Sequence, residues 1–112
     1  MKKVVAVLQP DKFDAAREAL TAIGIDGMTA TEARGFGRQR GHRETFRGHE
    51  YEVDLLPKIQ LEVVVPTNRV DDVVRALISA GRTGQIGDGK IFVYDVQEAF
   101  RIRNDERGDL AL

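Results

Sequence analysis

The chain has no cysteine among its 112 residues. Disulfides, thiolate catalysis and thiolate metal ligation are therefore excluded. It also lacks an excess of either charge: 17 Lys and Arg stand against 18 Asp and Glu. No net field draws it to nucleic acid or to an anionic membrane surface. Stacking aromatics of the RNP type are missing as well. No apolar run approaches the ~20 residues of a membrane span, and the apolar part of MKKVVAVLQPDKFD is too short for a signal peptide. The expectation is one domain over 1–112, cytoplasmic and without membrane insertion.

What is present is ordinary in amount and organised in pattern. Val4 to Leu8 is β-branched and apolar, and Pro10 stops it. Asp11 suits an N-cap, followed by Phe13, Ala16, Leu20 and Ile23 at helical spacing and by Gly24 as a stop. Residues 28–36 alternate as a second strand. Residues 37–57 have no clean period and form a long loop. In KIQLEVVV (58–65), Ile59, Leu61, Val63 and Val65 share one face, and Gln60, Glu62 and Val64 the other. Asn68 can cap a second helix whose stripe is Val70, Val73, Val74, Leu77 and Ile78. A glycine loop follows, then the strand IFVYD, an extended piece EAFRIR, and a loosely held tail, NDERGDLAL. The order βαβ, long loop, βαβ predicts an α+β, ferredoxin-like sheet with two helices on one face.

Two features exceed what that fold needs. The strands are apolar on both faces, with Val4, Ala6 and Leu8 opposite Val5 and Val7, and Ile91 and Val93 opposite Phe92 and Tyr94. Two helices cover only one face, so the other is expected to meet another copy of the chain. The second feature is the loop 37–57, which is longer than a hairpin needs and reads as an interaction arm.

The loop GRTGQIGDGK (81–90) carries glycines at 84, 87 and 89, then Asp88 and Lys90. It is not a P-loop, because Ile91 and a strand follow the lysine where Ser or Thr and a helix are required. Its glycines suit either a tight turn or a cradle of bare N–H groups for phosphate. Arg101 and Arg103, two apart on an extended chain, would point the same way across Ile102. They suit a polyphosphate clamp or a solvated edge that blocks aggregation. A third group, Arg34-Gly35-Phe36-Gly37-Arg38-Gln39, stands where the second strand enters the arm. Three such groups favour an anionic ligand. His42 and His49 lack metal-ligand spacing and read as surface residues. Asp71 and Asp72 suit a helix's first turn. No catalytic constellation is found.

Together, GMTATEARGFGRQRGHRETFRGHEYEVDLLPK (27–58), RTGQIGDGKIFV (82–93) and RIR (101–103) resemble the PII nitrogen-regulatory signal-transduction proteins. The resemblance spans essentially the whole chain. It implies a homotrimer that binds ATP or ADP between neighbouring subunits, and 2-oxoglutarate with Mg2+ and ATP at the base of the arm. By position, Gly87, Asp88, Gly89 and Lys90 match the family's phosphate loop. Arg101 and Arg103, with Ile102 between them, match a clamp reaching from the neighbouring subunit. Thr29, Gly35, Gly37, Arg38, Glu62 and Val64 match the nucleotide pocket. Gln39 matches the Mg2+ and 2-oxoglutarate ligand, Lys58 the partner of the distal carboxylate, and Gly41 and Gly87 contacts in the same site. Arg47 matches a residue that relatives insert at the pore mouth of an ammonium transporter, and Tyr51 a tyrosine that is uridylylated or adenylylated. Nitrogen-metabolism enzymes are the other implied partners, reached through 37–57; nucleic acid is not among them.

The chain departs from relatives at Gln9, Phe46, Leu55 and His49, and Arg43 and Thr45 also alter the arm's surface. These touch the partner more than the ligands. The expectation is a sensor without enzymatic activity. The alternatives weighed are a slow nucleotide hydrolase or a nucleotide-only regulatory variant of the same fold.

Overall fold

The computed structural model describes residues 1–36 and 55–112 in full, with the backbone of 43–46 and 49–52. Strand β1 is Lys2–Leu8, helix α1 Phe13–Ala22 and strand β2 Thr29–Gly35. Short strands β3 (Arg43–Phe46) and β4 (His49–Glu52) pair antiparallel. Strand β5 is Leu56–Val65, helix α2 Val70–Gly81 and strand β6 Lys90–Asp95. The main sheet runs β2-β5-β1-β6, with all neighbours antiparallel. This is the ferredoxin-like α+β arrangement expected from the strand and helix order.

One face of the sheet is covered. Val4, Ala6 and Leu8 of β1 and Leu61, Val63 and Val65 of β5 meet Ala16 and Leu20 of α1 and Val73 and Leu77 of α2. All are buried. Period 2 in the strands and period 3.6 in the helices deliver these side chains to one layer. Each fully buried Leu or Val contributes roughly 1.5–3 kcal/mol of burial.

The helices begin differently from the capping pattern. Pro10–Lys12 and Thr67–Arg69 are 3-10 turns, and α1 and α2 start after Lys12 and Arg69 with no side-chain cap bond. Asp11 and Asn68 therefore sit inside turns and do not act as caps. Pro10 and Pro66 set this entry, because a fixed φ near −65° starts a turn directly. Gly24 does end α1, at φ +86°.

Two further expectations are corrected. Within 37–57, where the sequence shows no period, the backbone holds the β3–β4 pair, and β5 already begins at Leu56. Residues 98–103 do not form one extended run, because the chain turns at 102–104, and the tail is not loose. The N–H groups of Asn104 and Asp105 both donate to Arg101 O, closing a turn. Gly108 N–H donates to Ala99 O at 2.9 Å, Phe100 bridges Arg107, and 108–111 form a 3-10 turn.

Candidate functional site

The strand register decides which side chains share a surface. Thr29 pairs with Glu62, Ala33 with Lys58, and Gly35 with Leu56. Val64 pairs with Lys3 and Lys90 with Val7. Directly paired residues project to the same side. Thr29, Gly35, Lys58, Glu62, Val64 and Lys90, singled out along three strands, therefore all lie on the face that no helix covers. Val5, Val7, Phe92 and Tyr94 share it, and Phe92 and Tyr94 are about half exposed. The face thus mixes an apolar floor with polar and cationic groups.

At one end of this face lies a cleft of about 630 Å³, lined by Val7, Gly35, Lys58, Gly87, Gly89 and Lys90 among others. Its geometry rests on the glycine loop. Gly87 and Gly89 have φ of +108° and +96°, a region that side chains resist. At Gly89 the requirement is also steric: a Cβ would lie 1.7 Å from the carbonyl oxygen of Val7. The loop backbone is thus pressed against the edge of β1. Both readings of the glycines, tight turn and exposed backbone, meet in this one loop.

Asp88 holds the loop from within. Its carboxylate accepts from Thr83 N–H at 2.8 Å, from Gly84 N–H at 2.9 Å and from the Thr83 hydroxyl. The Thr83 hydroxyl bond, then the Thr83 amide bond, hold its carboxyl below the usual carboxylate range. The resemblance gives Asp88 to the phosphate loop; its carboxylate here faces the loop's own N–H groups. Thr83 is a functional neighbour that the sequence reading passed over, although a Thr-Gly pair with Asp five residues on is a recognisable turn signal.

Lys58 crosses from β5 to the same loop, its Nζ donating to Gly87 O at 3.2 Å. Burial pushes its pKa down. Gly35 lies beside its stem, where an added Cβ would make an ordinary contact of 3.5 Å with Lys58 Cγ. One cation, Lys58, thus ties two of the glycine groups together, and Lys90 lies exposed beside them. Bare loop backbone and two lysines in an open cleft suit an anionic ligand such as a phosphate or carboxylate.

The remaining residues do not join this cluster within one chain. Thr29 and Glu62 are paired across β2 and β5, and Gln60 Nε2 donates to Glu62 Oε1 at 3.0 Å. Val64 is six residues along β5 from Lys58, roughly 20 Å at strand rise. Arg101 turns toward its own C-terminal segment, with Nη1 3.0 Å from Glu106 Oε2. Ile102 and Arg103 are exposed. Gly37, Arg38, Gln39, Gly41 and Arg47 lie outside the described residues. Tyr51 is described by backbone alone, paired with Glu44 in the β3–β4 ribbon. No group of His, Asp or Glu that could hold a metal occurs among the described residues. Among them, too, no helix is long and apolar enough to cross a membrane.

The comparisons with known proteins agree with one another. The family model described as nitrogen regulatory protein P-II matches residues 1–106. The chain is 57% identical to the nitrogen regulatory protein P-II of Haemophilus influenzae, over all 112 residues and the whole of that protein. It is 53% identical, again over both full lengths, to the protein of the same name from Pasteurella multocida. With nitrogen regulatory protein P-II 1 of Escherichia coli K12 the identity is 54% over both full lengths.

Proposed function

Because the chain belongs to the nitrogen regulatory protein P-II family, we propose that it senses ATP, ADP and 2-oxoglutarate and reports them through its arm. ATP and ADP compete for a cleft formed where two copies of the chain meet in a homotrimer. The glycine loop and Lys90 hold the phosphates, Thr29, Gly35, Glu62 and Val64 line the pocket, and Arg101 and Arg103 come from the neighbouring copy. 2-Oxoglutarate joins when ATP and Mg2+ complete its site beside Lys58, Gly41 and Gln39. The arm, residues 37–57, then accepts or releases an ammonium transporter or an enzyme of nitrogen metabolism, with Arg47 at the contact and Tyr51 open to modification. The protein acts in the cytoplasm as a regulator and not as an enzyme.

One observation supports this reading most. The strand positions that the resemblance assigns to the nucleotide lie on the helix-free face, which hydrophobicity alone assigns to contact with another copy. In a single chain they are split between the cleft end and the far end of β5. On this reading the cleft end of one copy meets the far end of β5 of its neighbour. Lys58, partly desolvated and donating to Gly87 O, is suited to hold the carboxylate of a ligand.

The test is calorimetric titration of 2-oxoglutarate with Mg-ATP, with Mg-ADP and with neither. Binding with Mg-ATP alone is expected. Gln39→Ala and Lys58→Ala should each abolish 2-oxoglutarate binding and spare ADP. Unchanged 2-oxoglutarate affinity in both variants would remove these assignments.

A further inference from the structure

The Arg101 guanidinium is already engaged inside its own chain. Nη1 donates to Glu106 Oε2 at 3.0 Å, and Nη2 donates to Leu110 O at 3.1 Å and to Leu112 O at 3.4 Å. An arginine carries five N–H donors, and these contacts engage both terminal nitrogens, the pair that forms a two-pronged bond to a phosphate or carboxylate. One side-chain carboxylate and two backbone oxygens therefore occupy the group as an anion would.

The segment supplying them is built to stay there. Arg101 N–H donates to Glu106 O at 2.8 Å and Gly108 N–H to Ala99 O at 2.9 Å. Arg107 donates to Glu98 at 3.0 Å and lies over the Phe100 ring, 4.7 Å from its centroid. The chain from Glu98 to Leu112 is thus a closed loop around Arg101.

We propose that residues 106–112 form an intramolecular competitor for Arg101, so that an anionic ligand engages this arginine by displacing the segment's own contacts. The proposal rests on the nucleotide reading above, with Arg101 serving a neighbouring copy's phosphates. The competition is a bias and not a lock. Arg101 and Glu106 are partly exposed, and exposed ion pairs are weak. Reciprocity then requires nucleotide to loosen residues 106–112 by the same factor as their removal tightens nucleotide.

Two variants test this: Glu106→Gln in the full chain, and a chain ended at Asp109. ADP and ATP affinities are measured by calorimetry, and amide hydrogen exchange is followed at 106–112. Nucleotide should bind roughly three- to tenfold more tightly to both variants. In the unaltered protein, saturating ATP should speed exchange at Gly108. Equal affinity in all three proteins overturns the competition while leaving the nucleotide reading intact. Weaker binding in the variants overturns it too, because the segment would then be positioning Arg101 for its ligand. If none of the three binds nucleotide, the nucleotide reading itself falls, and the competition with it.

Discussion

Two glycines of one loop separate backbone freedom from close contact. Gly84 and Gly89 both have positive φ, +86° and +96°. Around Gly84 a Cβ would meet nothing within 4 Å; at Gly89 it would overlap Val7 O at 1.7 Å. Gly84→Ala should therefore cost the left-handed penalty alone, about 1–2 kcal/mol. Gly89→Ala should cost clearly more, because β6 must shift from β1. Urea unfolding of both variants measures the difference, and equal midpoints would show that the approach to Val7 is relaxed at no cost. Asp88 makes a prediction in pH. Its carboxyl is held below the usual range, so its hold on the loop is complete above the unfolded carboxylate pKa, about 3.9, and fades as pH falls through the lowered folded value. Amide exchange at Thr83 and Gly84 should stay slow down to that acid limb. Asp88→Asn should remove the acid limb and speed exchange at neutral pH.

Elements repeat the lesson at a larger size, and the C-terminal turn gives the sharpest case. Asp105 has φ +61°, the one non-glycine residue at positive φ among those described. Its N–H nevertheless closes the turn on Arg101 O at 3.0 Å. Asp105→Gly should stabilise the protein by up to about 1 kcal/mol, the left-handed penalty less glycine's greater freedom in the unfolded chain. Thermal unfolding would read this as a rise in midpoint; a fall would mean that the Asp side chain itself holds the turn. This turn was illegible in the sequence for a physical reason. Phe100, Ile102 and their arginine neighbours alternate as in a strand, but Ile102 is 99% exposed. Alternation reports a half-buried strand only where there is a core to alternate against. Where such a core exists, as in 58–65, the sequence assigned both faces correctly. The helix starts were missed because capping side chains advertise themselves, whereas a proline-led 3-10 entry does not. Asp88's partners were missed likewise, since a carboxylate that binds backbone N–H groups leaves no mark on residue type in its partners. Of the candidate site, the residue clusters were legible in the sequence; that its strand positions share one face follows from register, which no single strand's pattern contains.

At the scale of the molecule, the helix-free face sets the final prediction. Val5 is buried there within the single chain, while Phe92 and Tyr94 are about half exposed. Lys3 lies over the Tyr94 ring, 4.8 Å from its centroid, so a basic stem and an aromatic ring together extend the apolar surface. A stable contact between copies buries about 1,200–2,000 Å², and apolar area of this kind contributes in proportion to what is removed from water. A carboxylate placed at the centre of such a contact must be desolvated without a full set of partners. Tyr94→Glu replaces a side chain already exposed in the single chain, so the fold itself should change by no more than about 0.5 kcal/mol. The assembly should respond far more. On the proposed function, sedimentation should show three chains for the unaltered protein and one for the variant, and the variant should lose nucleotide, because on that reading its pocket residues no longer face a neighbour's Arg101 and Arg103. A variant that sediments as one chain yet binds ATP undiminished would place the whole site within a single subunit. A variant that remains trimeric would move the contact to another surface.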